Sequence, residues 1–372
     1  MSYYKYNGFL DTTGAAVKYI NNAGAPQICA QDYLQALAEG DITGHTPFSK
    51  IGYTPTMTTA ISDIWSGAGA YSFPAAAGQW QLVTVTNDVG AVIRGNAEGA
   101  NQTILCDAGG TTTTLNDADV NFASGAPVVE AGDLVLIDPK GASPEWGYVT
   151  TVATNTLTFS GGLSSGGSCA TARAYSIVNQ NVASSGALAV KIDYLTNDFT
   201  KKTIIVACGG GTVALKDSAG SNLTETYRVN SLRIIGLGAA GTSAGAIQLQ
   251  VVSGSVLINN ITAGFTRARN IQYTVPKSKS VYITQITAAW ALGNKATTLD
   301  NCRFFLRANR EPATNFFTGT LFYPYFEVIS NGNTLFEPLQ LPLKFAAGTD
   351  IKMSGIATAA GSAVAVMRGW EE

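Results

Sequence analysis

Short segments in which apolar and polar residues alternate run through most of the chain. The clearest early segment spans residues 79–86, and similar ones follow at residues 187–195, 202–206, 225–229, 231–235 and 246–251. The strongest lie at residues 281–288, 301–307, 322–329, 339–345 and 350–353. A period of two is typical of a strand with one buried face. The pattern predicts an all-β protein, a jelly-roll-like antiparallel β-sandwich, with one short N-terminal helix at residues 31–39 that ends at Gly40.

The pattern changes between residues 97 and 178, where shorter strands are separated by Gly, Asp and Asn turns. This texture is typical of a small β-barrel or sandwich, and long insertions in loops cost little free energy. We therefore predict four segments. They are an N-terminal arm and helix (1–41), the first part of the sandwich (42–96), an inserted small β-domain (97–178) and the remainder of the sandwich (179–372).

Aromatic residues crowd the first 80 residues, in runs that Gly and Pro interrupt. Such a segment is expected to drape over a sheet or a neighbouring subunit, because rings left in water forgo the gain from burial. The residues predicted to form this interface are Tyr3, Tyr4, Tyr6, His45, Phe48, Tyr53, Trp65, Tyr71 and Phe73.

Charge is sparse. Only 13% of residues are charged, with 23 Lys and Arg against 25 Asp and Glu. This balance argues against a nucleic-acid partner, which needs clustered basic residues. A large uncharged surface favours a homo-oligomer, and we expect a trimer. The sequence shows neither a secretory leader nor a membrane span, so synthesis in a cytoplasm is expected.

Catalytic residue types are scarce as well. The chain has one histidine, His45, and its five cysteines are scattered without a CxxC pair, which predicts buried free thiols. Residues 236–241 match GxGxxG, but a strand pattern follows instead of a helix, so a Gly-rich hairpin is expected. Residues 208–211 lack the Lys of a phosphate loop. We predict no enzyme, no cofactor and no metal site.

Three other kinds of site stay open at this level. Calcium binding is one, and turn capping is the favoured reading of its candidates Asp117, Asp119, Asp133 and Asp138. A glycosidase needs two carboxylates, with Glu311, Glu327, Glu337 and Asp350 as candidates. Sugar stacking could use Trp65, Trp80, Trp146, Tyr323 and Tyr325, although aromatic rings also anchor protein interfaces.

Two stretches carry a resemblance to a known class of proteins. Residues 42–53, with 63–66 and 71–74, resemble the N-terminal part of virion structural proteins of tailed bacteriophages. Residues 273–284, with 227–230, are similar to the C-terminal β region of the same proteins. The resemblance implies a structural protein of the virion, such as a capsid decoration, head-fibre, neck or tail component. Its partners would be major capsid, neck or tail proteins. The alternative is a receptor-binding or glycan-binding fibre or tailspike component that contacts a host-surface glycan.

Overall fold

A computed structural model describes residues 19–20, 26–27, 44–125, 127–170, 172–180, 186–292, 300–309, 322–331 and 334–372. Almost all regular structure in this part of the chain is β-strand, and one 3₁₀ turn spans Ser253–Ser255. The prediction of an all-β sandwich fold is confirmed. The helix predicted at residues 31–39 lies outside the described residues, as do Tyr3, Tyr4, Tyr6 and Glu311.

The strands, in chain order, are Tyr19–Ile20 (β1), Pro26–Gln27 (β2), Thr46–Met57 (β3), Ser62–Asp63 (β4), Trp80–Val83 (β5), Val92–Gly95 (β6), Thr114–Asn116 (β7), Leu134–Ile137 (β8), Glu145–Val152 (β9), Thr156–Phe159 (β10), Tyr175–Val178 (β11), Ala187–Thr196 (β12), Lys201–Ala207 (β13), Thr212–Ala214 (β14), Thr226–Leu237 (β15), Ile247–Val251 (β16), Leu257–Ile261 (β17), Tyr273–Thr274 (β18), Ser280–Leu292 (β19), Cys302–Asn309 (β20), Tyr323–Ser330 (β21), Leu335–Ala346 (β22), Asp350–Ala357 (β23) and Gly361–Glu371 (β24).

The C-terminal strands form a jelly roll. One sheet has the order β22-β19-β24-β3, and the facing sheet has the order β18-β23-β20-β21, with β4 paired to β23. Taken in chain order from β3 and then β18 to β24, the chain passes to the other sheet at every step except the β20–β21 hairpin. This is the strand order of a double-sheet jelly roll. Its core lies between the sheets and includes Trp290, Phe304 and Phe345.

A second sandwich lies within the connection between β3 and β18. A three-stranded sheet, β13-β12-β15, faces a four-stranded sheet, β14-β5-β16-β17. Trp80, Leu82, Ile192 and Leu249 are buried between these sheets. In both sandwiches the facing sides of the two sheets are buried, as the alternating pattern requires.

A six-stranded antiparallel sheet, in the order β6-β11-β8-β9-β10-β7, lies within the connection between β5 and β12. It closes around its own core, which includes Phe122, Leu157 and Tyr175. Its β8 also packs on the outer face of the β13-β12-β15 sheet, where Leu134 and Leu136 join Leu188, Ile205 and Ile235 in one apolar cluster. The chain is thus nested twice, with the small sheet inside the second sandwich and the second sandwich inside the jelly roll.

The observed organisation differs from the predicted one in two ways. Residues 42–96 and 179–372 contribute to two sandwiches rather than one. The six-stranded sheet begins at Val92 rather than residue 97, because β6 pairs with β11. An alternating pattern shows which face of a strand is buried, but it carries no information about the sheet that covers that face.

The segment predicted to drape over the sandwich contains a regular strand. β3 pairs with β24 from Thr46 opposite Glu371 to Met57 opposite Gly361. It forms the edge of its sheet, where a proline such as Pro47 or Pro55 costs no ladder hydrogen bond. The prolines that suggested an irregular segment are therefore compatible with the strand.

Buried charge joins the second sandwich to the jelly roll. Arg228 on β15 donates from Nη2 to Asp350 Oδ2 on β23 at 2.9 Å and from Nε to Asp350 Oδ1 at 3.0 Å. The exposed fractions of these side chains are 4% and 0%. Close by, Asn230 uses its side-chain amide to bond both the backbone N–H and the carbonyl of Thr274. The junction is therefore held by directional polar contacts.

We expect Arg228→Met to lower the free energy of unfolding by about 3–5 kcal/mol, because it leaves the Asp350 carboxylate buried and unpaired. The double variant Arg228→Met/Asp350→Leu should recover much of that loss. Denaturant unfolding followed by circular dichroism measures both. The matched control is Lys202→Met, which removes the exposed pair with Glu225 and should cost under about 1 kcal/mol. A cost for Arg228→Met no larger than the control would contradict this assignment.

Candidate functional site

A cavity of about 240 Å³ lies at the junction of the jelly roll and the second sandwich. Strand β3 contributes Lys50, β15 contributes Asn230, and the segment after β17 contributes Arg267, Asn270 and Gln272. The volume is just below the range of roughly 300–1,000 Å³ that accommodates drug-sized ligands. The cavity therefore suits a small ligand.

Lys50 is the charged group set deepest in this cavity. It lies on the same face of β3 as the buried Phe48, two residues away. Its ammonium donates to the carbonyl of Asn230 and lies 5.3 Å from the centre of the Tyr273 ring. Burial lowers the pKa of Lys50 to about 8, and the charge of Asp193 only partly offsets this effect. Among the described residues, Lys50 forms no ion pair.

Gln272 is the least satisfied polar side chain of the cavity. It is 3% exposed, and neither its amide nitrogen nor its amide oxygen has a hydrogen-bond partner in the described structure. Its neighbours differ, since Asn270 donates to Asn259 at 2.6 Å and accepts from the Ser66 hydroxyl at 2.9 Å. A buried carboxamide without hydrogen-bond partners lowers the stability of the fold. This side chain is therefore available to hydrogen-bond a polar group in the cavity.

No acidic residue lines the cavity among the residues described. Arg267 is an exposed residue of the lining. Arg233 also lines it, but its guanidinium lies 5.2 Å from the ring centre of Trp146 on the inserted sheet. The local charge is therefore positive and comes from Lys50, Arg233 and Arg267.

The predicted interface aromatics pack mainly on the chain itself. Phe48 contacts Tyr273 edge-on, with ring centres 4.8 Å apart. Trp65, Tyr71 and Phe73 form a continuous run, with centres 5.0 and 4.9 Å apart. Phe48, Trp65 and Tyr71 are buried, so their apolar surface is already covered within one chain. Only Tyr71 of these four lines the cavity.

Tyr53 and His45 lie apart from that run. Tyr53 is half-buried, and the Arg269 guanidinium lies 5.9 Å from its ring centre. His45 Nε2 lies 3.0 Å from Glu372 Oε2, next to the last strand. This contact joins the start of β3 to the last residue of the sequence.

The carboxylates considered for calcium or catalysis are engaged in structural contacts. Asp117 accepts the Tyr175 hydroxyl at 2.6 Å and the Asp119 backbone N–H at 3.0 Å. Asp133 accepts the backbone N–H groups of Glu130 and Gln180, and burial raises its pKa. No cluster of three or more potential metal ligands occurs among the residues described.

The three glycosidase candidates that the structure describes lie in separate settings. Asp350 is neutralised by Arg228, and Glu327 pairs with Arg303 on the surface. Glu337 is exposed on β22. Asp138, the remaining calcium candidate, lies in the turn after β8, and burial raises its pKa.

Two of the five aromatics proposed for sugar stacking are buried, contrary to expectation. Trp80 is 1% exposed because it lies in the core of the second sandwich. Trp65 is 6% exposed and packs against the ring of Tyr71. Trp146 and Tyr325 are half-buried, and Tyr323 is 58% exposed. The Gly-rich segment 236–241 runs from the end of β15 into the turn before β16, so it opens no helix.

The five cysteines were expected to be free and buried. Cys169, Cys208 and Cys302 are buried free thiols, and Cys106 is buried beside Cys169. Cys29 lies outside the described residues. Within the described residues, no helix has the length and apolar character needed to cross a membrane.

Comparison with known protein families finds no family model that matches this chain, and no curated protein matches it.

Sequence reasoning did not identify Lys50 and Gln272. Lys50 had a usable signal, because it shares a strand face with Phe48 at a spacing of two and so places a cation among buried positions. The sequence held no signal for Gln272. The residues that surround its side chain are remote in the chain, so the sequence alone does not show that they leave it without a hydrogen bond.

We expect the stability of the wild type, relative to Lys50→Met, to rise between pH 7.5 and pH 9.5. In this window the unfolded chain still holds the Lys50 proton, whereas the native state, with its pKa of about 8, releases it. Stability rises with pH wherever the unfolded state binds more protons, and the gain should be about 1–2 kcal/mol. Denaturant unfolding at each pH measures it, with the exposed Lys202→Met as control. Parallel pH profiles for wild type and Lys50→Met would contradict the assignment.

Proposed function

We propose that this chain is a structural protein of a tailed-bacteriophage virion. It would act by homo-oligomeric assembly, as a trimer, and by contacts with other virion proteins, and it would be made in the cytoplasm of the bacterial host. The observation that carries the proposal is an apolar edge on the jelly roll. This surface, the β21–β22 edge, is defined by Tyr323, Ile329, Phe336 and Leu341.

The β21–β22 edge presents the most exposed large hydrophobic side chains of the described structure. Leu341 is 81% exposed, Phe336 63%, Tyr323 58% and Ile329 53%. Each of the two strands is the last of its sheet, and a short connection joins them. Exposed large apolar side chains on strands at the end of a sheet are characteristic of protein interfaces.

Prolines determine how a partner can use this edge. Pro324 lies in β21, and Pro338 and Pro342 lie in β22. A proline has no N–H to donate, so neither edge can extend its sheet smoothly with a strand of another chain. The contact we propose is therefore made by side chains packing together. This favours a defined oligomer over open-ended strand addition.

The fold and the distribution of charge support the same proposal. Jelly rolls are frequent in viral capsid proteins and in lectins, although a fold alone does not establish a function. Of the carboxylates considered for catalysis, Asp350 and Glu327 are paired with arginines, which favours a role in binding and assembly. The resemblance of residues 42–53 and 273–284 to virion proteins points the same way.

A receptor-binding or glycan-binding component of a fibre or tailspike is the second candidate. The junction cavity favours it, because Lys50 and Gln272 offer an unmatched charge and an unmatched carboxamide. The two candidates are separable, since assembly would use the β21–β22 edge and ligand binding would use the cavity.

Assembly is tested with Phe336→Glu/Leu341→Glu, which places two charges on the β21–β22 edge. Native mass spectrometry at micromolar concentration should show a wild-type trimer and a monomeric variant, because charges at the centre of an apolar interface are costly to bury. Circular dichroism should show the same fold for both. Val256→Glu is the matched control, since Val256 is 52% exposed but lies on the second sandwich. A monomeric wild type, or an oligomer unaffected by the double variant, would refute the proposed interface.

Membership of the virion is tested on purified particles of the phage that encodes the chain. We expect the protein to sediment with intact particles through a density gradient and to appear as symmetric density at the capsid surface, neck or tail. Peptide mass spectrometry of the gradient fractions and electron cryomicroscopy of the particles provide the measurements. Recovery of the protein only from particle-free fractions would overturn the assignment.

A further inference from the structure

We propose that the junction cavity is a binding site for a small hydroxylated oxyanion, held by the ammonium of Lys50 and the carboxamide of Gln272. This inference does not depend on the proposed role in assembly, because the cavity and the β21–β22 edge are formed by different residues. Its ligand class follows from the groups that the cavity leaves unmatched.

Lys50 requires a negative partner that the fold does not supply. A charge removed from water is costly unless it is paired and hydrogen-bonded. The charged groups that act on it are Asp193 on β12, Lys201 on β13 and Glu371 on β24. Asp193 accepts the Thr203 hydroxyl at 2.7 Å, and Glu371 accepts the Tyr273 hydroxyl at 2.7 Å. Neither carboxylate forms an ion pair with Lys50, and Asp193 lies 3.6 Å from the ammonium of Lys191. An anion in the cavity would therefore pair with Lys50 directly.

Gln272 selects for a ligand that also carries a hydroxyl group. Its carboxamide offers two N–H donors and one carbonyl acceptor, and none of these has a partner in the described structure. An anionic oxygen accepts from the amide nitrogen, and a hydroxyl donates to the amide oxygen. A bare halide satisfies only the first contact. Ordered water could satisfy the carboxamide, but it would not neutralise Lys50.

The remaining cavity wall agrees with this ligand class. The described lining contains no carboxylate that would repel an anion, and Arg233 and Arg267 add to the positive charge of Lys50. The volume of about 240 Å³ is several times the roughly 30 Å³ that one water occupies in the liquid. A small oxyanion can enter and displace several waters.

Two sources share this chemistry, namely inorganic phosphate and the uronic acid units of acidic polysaccharides. Both combine a delocalised negative charge with a hydroxyl group. Separate titrations with phosphate and with glucuronate distinguish the two sources. Glucose serves as the neutral analogue of glucuronate, and chloride serves as an anion without a hydroxyl.

Isothermal titration calorimetry of the full chain at pH 7 provides the first test. We expect saturable binding of one equivalent per chain for phosphate, glucuronate or both, with at least tenfold weaker binding of glucose and chloride. Affinity should fall about tenfold or more between pH 7 and pH 9.5, because Lys50 loses its charge over this range. Absence of saturable binding of both phosphate and glucuronate would overturn the proposal, as would equal binding of glucose and glucuronate.

Two variants locate the ligand in the cavity. Lys50→Met and Gln272→Leu should each weaken binding at least tenfold, whereas Arg303→Gln, on an exposed strand face elsewhere, should bind as the wild type does. Gln272→Leu has a second readout that does not depend on a fragile fold. Removal of an unsatisfied buried carboxamide should raise the melting temperature of the ligand-free protein, and the ligand should no longer shift it. Wild-type affinity in both cavity variants would place the ligand elsewhere and refute the site.

Discussion

The ion pair between Arg228 and Asp350 is the contact on which the arrangement of the two sandwiches depends. The chain leaves the jelly roll after β4 and returns to it at β18, so the second sandwich must be held close to both strands. Arg228 lies on the second sandwich, and Asp350 lies next to β18 in the jelly roll. Because the pair is almost fully buried, displacing either sandwich would leave a charge unpaired in a poorly solvated place.

The nested units are joined by contacts of two physical kinds. The inserted six-stranded sheet meets the second sandwich through an apolar cluster, whereas the second sandwich meets the jelly roll through polar groups. Apolar contact is not directional, but a bidentate guanidinium pair restricts both distance and angle. A polar junction therefore sets orientation more strictly. The same junction contains the cavity in which Lys50 has no ion pair and Gln272 has no hydrogen bond in the described structure.

Internal packing of the early aromatic residues changes the place where assembly is expected. Trp65 and Tyr71 are covered by their own chain, so they offer little surface to a partner. The exposed apolar surface lies instead on β21 and β22, at the opposite end of the sequence. Since the prolines of these strands hinder sheet extension, the partner that we propose would meet side chains there rather than an open ladder. A closed oligomer with a ligand site at an internal junction is consistent with both features.

The sequence by itself determined the class of fold and much of the core. The alternation of apolar and polar residues in segments 281–288 and 301–307 identified buried faces, because a strand face is a local property with a period of two. The number of sandwiches, the strand formed by residues 46–57 and the burial of Trp65 were decided only by the tertiary structure. Each depends on which remote segment covers a face, and local periodicity does not encode that partner. The candidate site shows the same limit, since Lys50 comes from β3 and Gln272 precedes β18, and only the return of the nested chain brings them together around one cavity.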